Sequence, residues 1–239
     1  MDECEFTARD AAACYRFIEH VNRWFGGIAP VRDFLFSEAD RQRPSGALRV
    51  LDIGSGTCDI PIAVAQHAHR RGIPMHITCV ETNADAVKRA ENRLARYPSL
   101  RLTIIQQDIG KLDVPTDGPF DCAVAAMFCH HLDDDRLCDF LTGLGRLVSG
   151  RLLISDLRRS VLAHAGCWLW TRPFPAAVRH DAMLSIRKGF RRDELLRLLT
   201  RIPSAHCDDV RLLSVLRIGA VLNYAPRNCR ASAAHGRPE

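Results

Sequence analysis

Three acids stand where hydrophobic runs end: Asp52 within Leu48–Ile53, Glu81 closing Met75–Glu81, and Asp108 just after Leu102–Gln107. Such a set suits a nucleoside-like ligand lying along one edge of a sheet. Asp52 leads into Ile53-Gly54-Ser55-Gly56-Thr57-Cys58-Asp59. Gly54 and Gly56 let the chain turn sharply and let backbone approach a ligand, and Pro61 suits a first helical turn. In a dinucleotide fingerprint the glycines run G-x-G-x-x-G and face a pyrophosphate, but here the third glycine position is Asp59 and an acid precedes the first glycine. Negative charge at both places repels phosphate and favours a cationic ligand. Glu81, with Thr82 beside it, can accept hydrogen bonds from a ribose diol. Asp108 can accept from an adenine amino group while Ile109 packs against the ring. The bland alternative is that all three acids cap the helices that follow.

A second group of residues has acid–base character. His130-His131, in the run Phe120 to Asp134, follows a strand that ends at Ala126. A histidine there can act as general base, because an unperturbed pKa of about 6.5 leaves it mostly neutral near pH 7. Neighbours in sequence point in different directions, and His131 is the first choice over His130; either ring can equally pack or cap the next helix. Asp156 and Arg158, after the fifth strand, can hold a substrate hydroxyl or carboxylate, or pair with each other. His180, with Arg179, is a candidate substrate residue or part of a salt-bridge cluster. The run Asp133-Asp134-Asp135 suits the positive end of a helix better than a cation site, so no metal is expected.

The elements that must position these residues follow from periodicity. From Leu48 to Asp156, strand-like runs alternate with helical ones, as a parallel sheet covered on both faces requires. Strands are expected at Leu48–Ile53, Met75–Glu81, Leu102–Gln107, Phe120–Ala126 and Leu152–Asp156. Helices are expected at Asp59–Arg71, from the Asn83 cap to about Arg96, and from near Asp133 until Gly150 separates helix from strand. Residues 1–45 read as a helical cap, with two helices from Arg9 to about Leu35 broken around Gly26-Gly27 and Pro30. A domain over 46–225 follows, with an insertion of a helix and loop at about 160–190, interrupted by Pro173 and Pro175. A helix at Arg192–Arg201 and strands at Asp209–Leu213 and Ile218–Tyr224 close the sheet, and 226–239 has a disordered composition.

The pattern D-x-G-x-G after a strand, with Glu81 and Asp108 ending the next two, resembles motifs I to III of the class I S-adenosylmethionine-dependent methyltransferases. The His-His-Leu segment is similar to small-molecule members of quinone and natural-product biosynthesis, and Arg179 to Phe190 resembles a narrower bacterial subgroup. The resemblance implies a Rossmann-like α/β fold with a mostly parallel seven-stranded sheet. It implies S-adenosylmethionine as cofactor, held by Asp52, Gly54, Ser55, Gly56, Asp59, Glu81, Thr82, Asp108, Ile109 and Ala126. It also implies methyl transfer to an oxygen or carbon of a small acceptor. The tetrapeptide by which nucleobase amino methyltransferases grip an exocyclic amine is missing, so DNA is not expected as substrate. Aromatic residues at Tyr15 to Phe36 and Trp168 to Phe174 point to an apolar or aromatic acceptor. Alternatives are an NAD(P)-dependent oxidoreductase and a non-catalytic cofactor- or RNA-binding module.

Composition narrows the classes further. The chain has 239 residues, 47% hydrophobic and 26% charged, enough for a full core and too polar for a membrane span. Its ten cysteines are scattered without a C-x-x-C pair, which fits free thiols in a reducing compartment. Met1-Asp2-Glu3-Cys4-Glu5 has no basic n-region, and a cytoplasmic location is expected. The net charge of +5 is spread along the chain rather than concentrated in a block.

Overall fold

The computed structural model describes residues 8–42 and 46–224. Its centre is a seven-stranded sheet in the order β3-β2-β1-β4-β5-β7-β6. The strands are β1 (Leu48–Ile53), β2 (Met75–Glu81), β3 (Leu102–Gln106), β4 (Phe120–Ala126), β5 (Val148–Leu157), β6 (Ala205–Leu212) and β7 (Arg217–Tyr224). β1 to β5 run parallel, while β7 is antiparallel to both β5 and β6. Chain order reverses between β1 and β4, and the crevice at their carboxyl ends is the usual ligand site of an open sheet. The register brings Asp52 opposite both Cys79 and Val124, so Glu81 and Ala126 end their strands beside the glycine turn.

The central strands are apolar throughout because helices cover both faces. On one face lie α2 (Ile28–Gln42), α3 (Asp59–Arg70) and α4 (Ala84–Leu94); Val31, Leu35, Ile62, Val64 and Ala90 join Val50 and Ile77 in one core cluster. On the other lie α5 (Asp134–Leu144) and α8 (Arg192–Thr200). Leu137, Leu141 and Leu144, and Leu195, Leu198 and Leu199, recur at helical spacing and pack on Leu51, Ile53 and Leu152. A third cluster meets the sheet at Leu157, the last residue of β5. It joins Cys14, Phe17 and Val21 of α1 (Ala8–Trp24), Ala163 and Cys167 of α6 (Val161–Trp170), and Val178, Ala182 and Ile186 of α7 (Ala176–Lys188). Phe17 and Phe25 hold it together with Trp170, at ring separations of 5.3 and 4.6 Å.

Several sequence expectations are corrected. Of the helices expected to form a cap within residues 1–45, only α1 lies in this third cluster; α2 belongs to the sheet's own core, where buried Glu38 pairs with Arg151. Pro30 does not break the chain, because it occupies the first turn of α2, where its missing N–H has no partner to lose. Gly150 lies inside β5 rather than before it: a Cβ there would come within 2.3 Å of the Asp121 carbonyl, so glycine permits close strand approach. The segment 160–190 holds two helices, not one helix and a loop, with Pro173 and Pro175 confined to their connection. β6 begins at Ala205, four residues before the expected Asp209. The tail 226–239 lies outside the described residues.

Candidate active site

One cavity of about 1170 Å³ opens between the carboxyl edge of the sheet and the α1–α6–α7 layer. Asp52, Gly54, Ser55, Gly56, Asp59, Glu81, Thr82, Asp108, Ile109 and Ala126 all line it, and so do His130 and His131. Asp156, Arg158 and His180 do not.

The β1–α3 turn takes its shape from three left-handed residues, Gly54 (φ 64°), Gly56 (φ 53°) and Cys58 (φ 54°). A Cβ on Gly54 would fall 2.4 Å from the Phe128 ring, whereas Gly56 faces open space. Gly56 N–H donates to Glu81 Oε2 at 2.9 Å, and the amides of Thr82 and Asn83 donate to Oε1, both at 2.8 Å. Glu81 is therefore fixed by backbone, with acceptor capacity left on Oε2 for a hydroxyl. Asp108 caps a short 3₁₀ turn through Oδ1 and the Gly110 amide, and its carboxylate is exposed at the cavity edge beside Ile109.

Asp52 is the buried acid of the set. Burial raises its pKa to about 7, helped by the charges of Asp59 and Glu81 and opposed by Ser55. A cation in the cavity would shift it back toward the ionised form. Among the described residues, the carboxylates that line the space are Asp52, Asp59, Glu81, Asp85, Asp108 and Asp181, and no lysine or arginine lines it. That donor set fits a ligand with an ammonium, a sulfonium and a ribose, and it does not fit a pyrophosphate.

His130 is held in one orientation. Its Nδ1 lies 2.7 Å from Asp156 Oδ1, its backbone N–H donates to Asp156 Oδ2 at 3.1 Å, and both side chains are buried. Burial alone would raise the pKa of Asp156, but the His130 charge and hydrogen bonds from His130 and the Leu157 amide hold it below the usual carboxylate value. Asp156 thus orients His130, and is corrected as a direct substrate contact. His131 stacks on His130 at 4.1 Å and stands at the cavity rim. Burial and the neighbouring His130 push its pKa down to about 4, which makes it a weak base. The adjacent Met127 has φ 57°, a left-handed conformation at the point where the chain leaves β4.

Arg158 and His180 are corrected as cavity residues. Arg158 follows β5 with its amide donating to the Leu216 carbonyl and does not line the cavity, and His180 is exposed on α7. The neighbouring Asp181 faces the cavity instead; burial raises its pKa against the opposing charges of His130, His180 and Lys188. Sequence reasoning also missed the polar residues of α1. Asn22 Nδ2 donates to Asp59 Oδ2 at 2.9 Å and its Oδ1 accepts from fully buried Arg217, while Glu19 meets Thr57 and Arg93. Burial lowers the Arg217 pKa to about 10, against the pull of Asp156 and Asp59, so it stays charged at neutral pH. These contacts fasten the α1 layer to the glycine turn. The only signal for them was an Asn and a Glu on an otherwise apolar helical stripe.

Residues 50–150 match the family described as a methyltransferase domain. No curated protein sequence matches the chain. Among solved structures, the plantazolicin methyltransferase BpumL bound to S-adenosylhomocysteine is similar with a TM-score of 0.68 at 12% identity, covering 93% of this chain and 91% of that one. Magnesium protoporphyrin IX methyltransferase from Synechocystis PCC 6803, also with S-adenosylhomocysteine, gives 0.59 at 13% identity over 87% and 84% of the two chains. A methyltransferase from Aquifex aeolicus gives 0.59 at 14% identity over 81% and 89%. At these identities the likeness is one of fold. The domain match covers residues 50–150, and over the chain as a whole the solved structures show a fold shared with S-adenosylmethionine-dependent methyltransferases.

No disulfide joins the eight described cysteines. Among the described residues no group of three or more His, Cys, Asp or Glu is placed to hold a metal, and no helix is long and apolar enough to cross a membrane.

Proposed function

We propose that the protein methylates an oxygen or carbon of a small, neutral, apolar or aromatic metabolite, with His130 as the general base. The observation that carries this reading is the His130–Asp156 pair, buried where the acidic half of the cavity meets its apolar half. Asp156 takes the Nδ1 side of the ring, so Nε2 is the nitrogen this reading assigns to the acceptor.

S-adenosylmethionine supplies an activated methyl on a sulfonium. Asp52 and Glu81 hold the cationic and ribose parts, and Asp108 with Ile109 holds the base. His130 Nε2 takes the proton from the acceptor hydroxyl or acidic carbon, and the Asp156 carboxylate stabilises the resulting imidazolium. His131, the first choice from sequence, serves better as a neutral wall and hydrogen-bonding group, because a base with a pKa near 4 has little drive to take a proton.

The acceptor half is lined by Phe17, Phe25, Met127, Leu157, Cys167 and Trp170. Such a wall favours flat apolar bodies. With Asp181 in it and no lysine or arginine among the described residues, it disfavours anions. The same absence weighs against an RNA-binding role for the cavity, and the acids around the glycine turn weigh against NAD(P).

A panel of radiolabelled methyl-transfer assays tests this. Neutral phenols and naphthols are expected to accept methyl and the matched carboxylates to fail. Activity confined to highly polar or anionic acceptors overturns it.

A further inference from the structure

α6 is an unusual surface helix. Its ten residues, Val161 to Trp170, include no Asp, Glu, Lys or Arg. One side packs Ala163 and Cys167 into the third cluster, yet the other side is also apolar: Val161 is 85% exposed, Leu162 72%, Leu169 62% and Trp168 47%. An amphipathic helix of a soluble domain shows solvent a polar face, so an apolar face of this kind marks something that covers it.

The apolar surface continues beyond the helix. Val215, 63% exposed, precedes β7, and Trp24, 68% exposed, ends α1. The turn after Trp24 is tied to the same place, since Ser214 donates to the Phe25 carbonyl and Phe25 stacks on Trp170 of α6. Leu162 and Val215 are exposed and also line the cavity, so this surface surrounds the cavity mouth.

The chain segment that carries this face bears charge of one sign. From Leu157 to His180 the chain carries four arginines and no acid. Arg172 lies over the Trp168 ring at 4.2 Å and Arg23 over Trp24 at 5.6 Å, pairing each exposed indole with a cation. Apolar side chains beside arginine-paired indoles suit the interface of a bilayer with anionic headgroups.

We propose that the outward face of α6, with Trp24 and Val215 beside it, docks the protein on an anionic lipid bilayer and turns the cavity mouth toward the lipid. An apolar acceptor then enters from the bilayer without crossing water. Docking stands on the surface alone; only this route for the acceptor rests on the proposed methylation.

Vesicle sedimentation separates the two, because it needs neither cofactor nor turnover. The protein is spun with vesicles of phosphatidylcholine alone or mixed with phosphatidylglycerol, at low and high salt. It is expected to pellet with the mixed vesicles, about tenfold less with phosphatidylcholine alone, and less again in high salt. The pair Val161→Glu/Leu169→Glu, exposed and outside the cavity, should lower binding by about tenfold or more, while S-adenosylhomocysteine affinity and turnover of a water-soluble acceptor stay unchanged. Failure of the native protein to pellet, or equal pelleting of the double variant, overturns the proposal. So does light scattering that finds a dimer which the double variant splits, since a second copy then covers the face. Loss of methylation with docking intact would instead sink the function and leave the surface standing.

Discussion

The two halves of the cavity are built differently. The proposed cofactor half comes from adjacent strand ends: Asp52, Glu81 and Ala126 are set by strand register, and the glycine turn is closed by the bond from Gly56 to Glu81. The proposed acceptor half comes mainly from helices far apart in sequence, α1, α6 and α7, whose shared core meets the sheet at Leu157. A site on strand ends inherits its geometry from the fold, whereas a site on an added layer depends on packing and can change its ligand without disturbing the sheet.

The contrast gives predictions of decreasing size. His130→Ala should lower turnover by about 10²- to 10⁴-fold and leave S-adenosylhomocysteine affinity nearly intact, measured by steady-state kinetics and calorimetry. Asp156→Asn acts through His130 and should lower kcat by about tenfold to a hundredfold, with a changed pH profile that a purely structural role would not produce. If either substitution abolishes cofactor binding, the halves are not separable.

Asp52→Asn should weaken cofactor binding by about tenfold to a hundredfold at pH 8, because an ionised partner for a cation is lost. The native protein should itself lose affinity as pH falls below about 7, where Asp52 takes up its proton, and the variant should show no such dependence. The stability sign is opposite. The folded pKa of Asp52 is raised, so its ionisation penalty grows from about pH 4 to about pH 7 and is complete above that. Asp52→Asn should therefore raise Tm at pH 8 and change it little near pH 4.

Gly54→Ala should destabilise the fold by about 2–3 kcal/mol in denaturant titrations, since the new Cβ meets the Phe128 ring in a left-handed turn. The smallest effect belongs to the seam between the halves. Asn22→Ala removes the link from Arg217 to Asp59 and should reduce stability by about 1–3 kcal/mol, while weakening cofactor binding only a few-fold.

How much of this was legible in the sequence follows the same division. The strands β1 to β4 and the caps at Asn83 and Asp133 are local patterns of alternation, glycine and short polar side chains, and each lies where those patterns put it. The role of α2 was not legible, because an apolar helical stripe does not say which surface it meets. The exchange of His131 for His130 turns on Asp156, a residue 26 positions away brought close by β4–β5 pairing. Asp181 was passed over for His180 next to it, since one step along a helix turns a side chain from cavity to solvent. Arg217 gave no signal at all; an arginine before a strand reads as surface until the fold buries it.

Calorimetric titration of S-adenosylhomocysteine into the native protein, Asp52→Asn and His130→Ala at pH 8 tests this division most directly. One molecule should bind per native chain, tenfold or more weakly to Asp52→Asn and with nearly native affinity to His130→Ala. Equal affinity of Asp52→Asn and the native protein, or a loss in His130→Ala as large as that in Asp52→Asn, would contradict it.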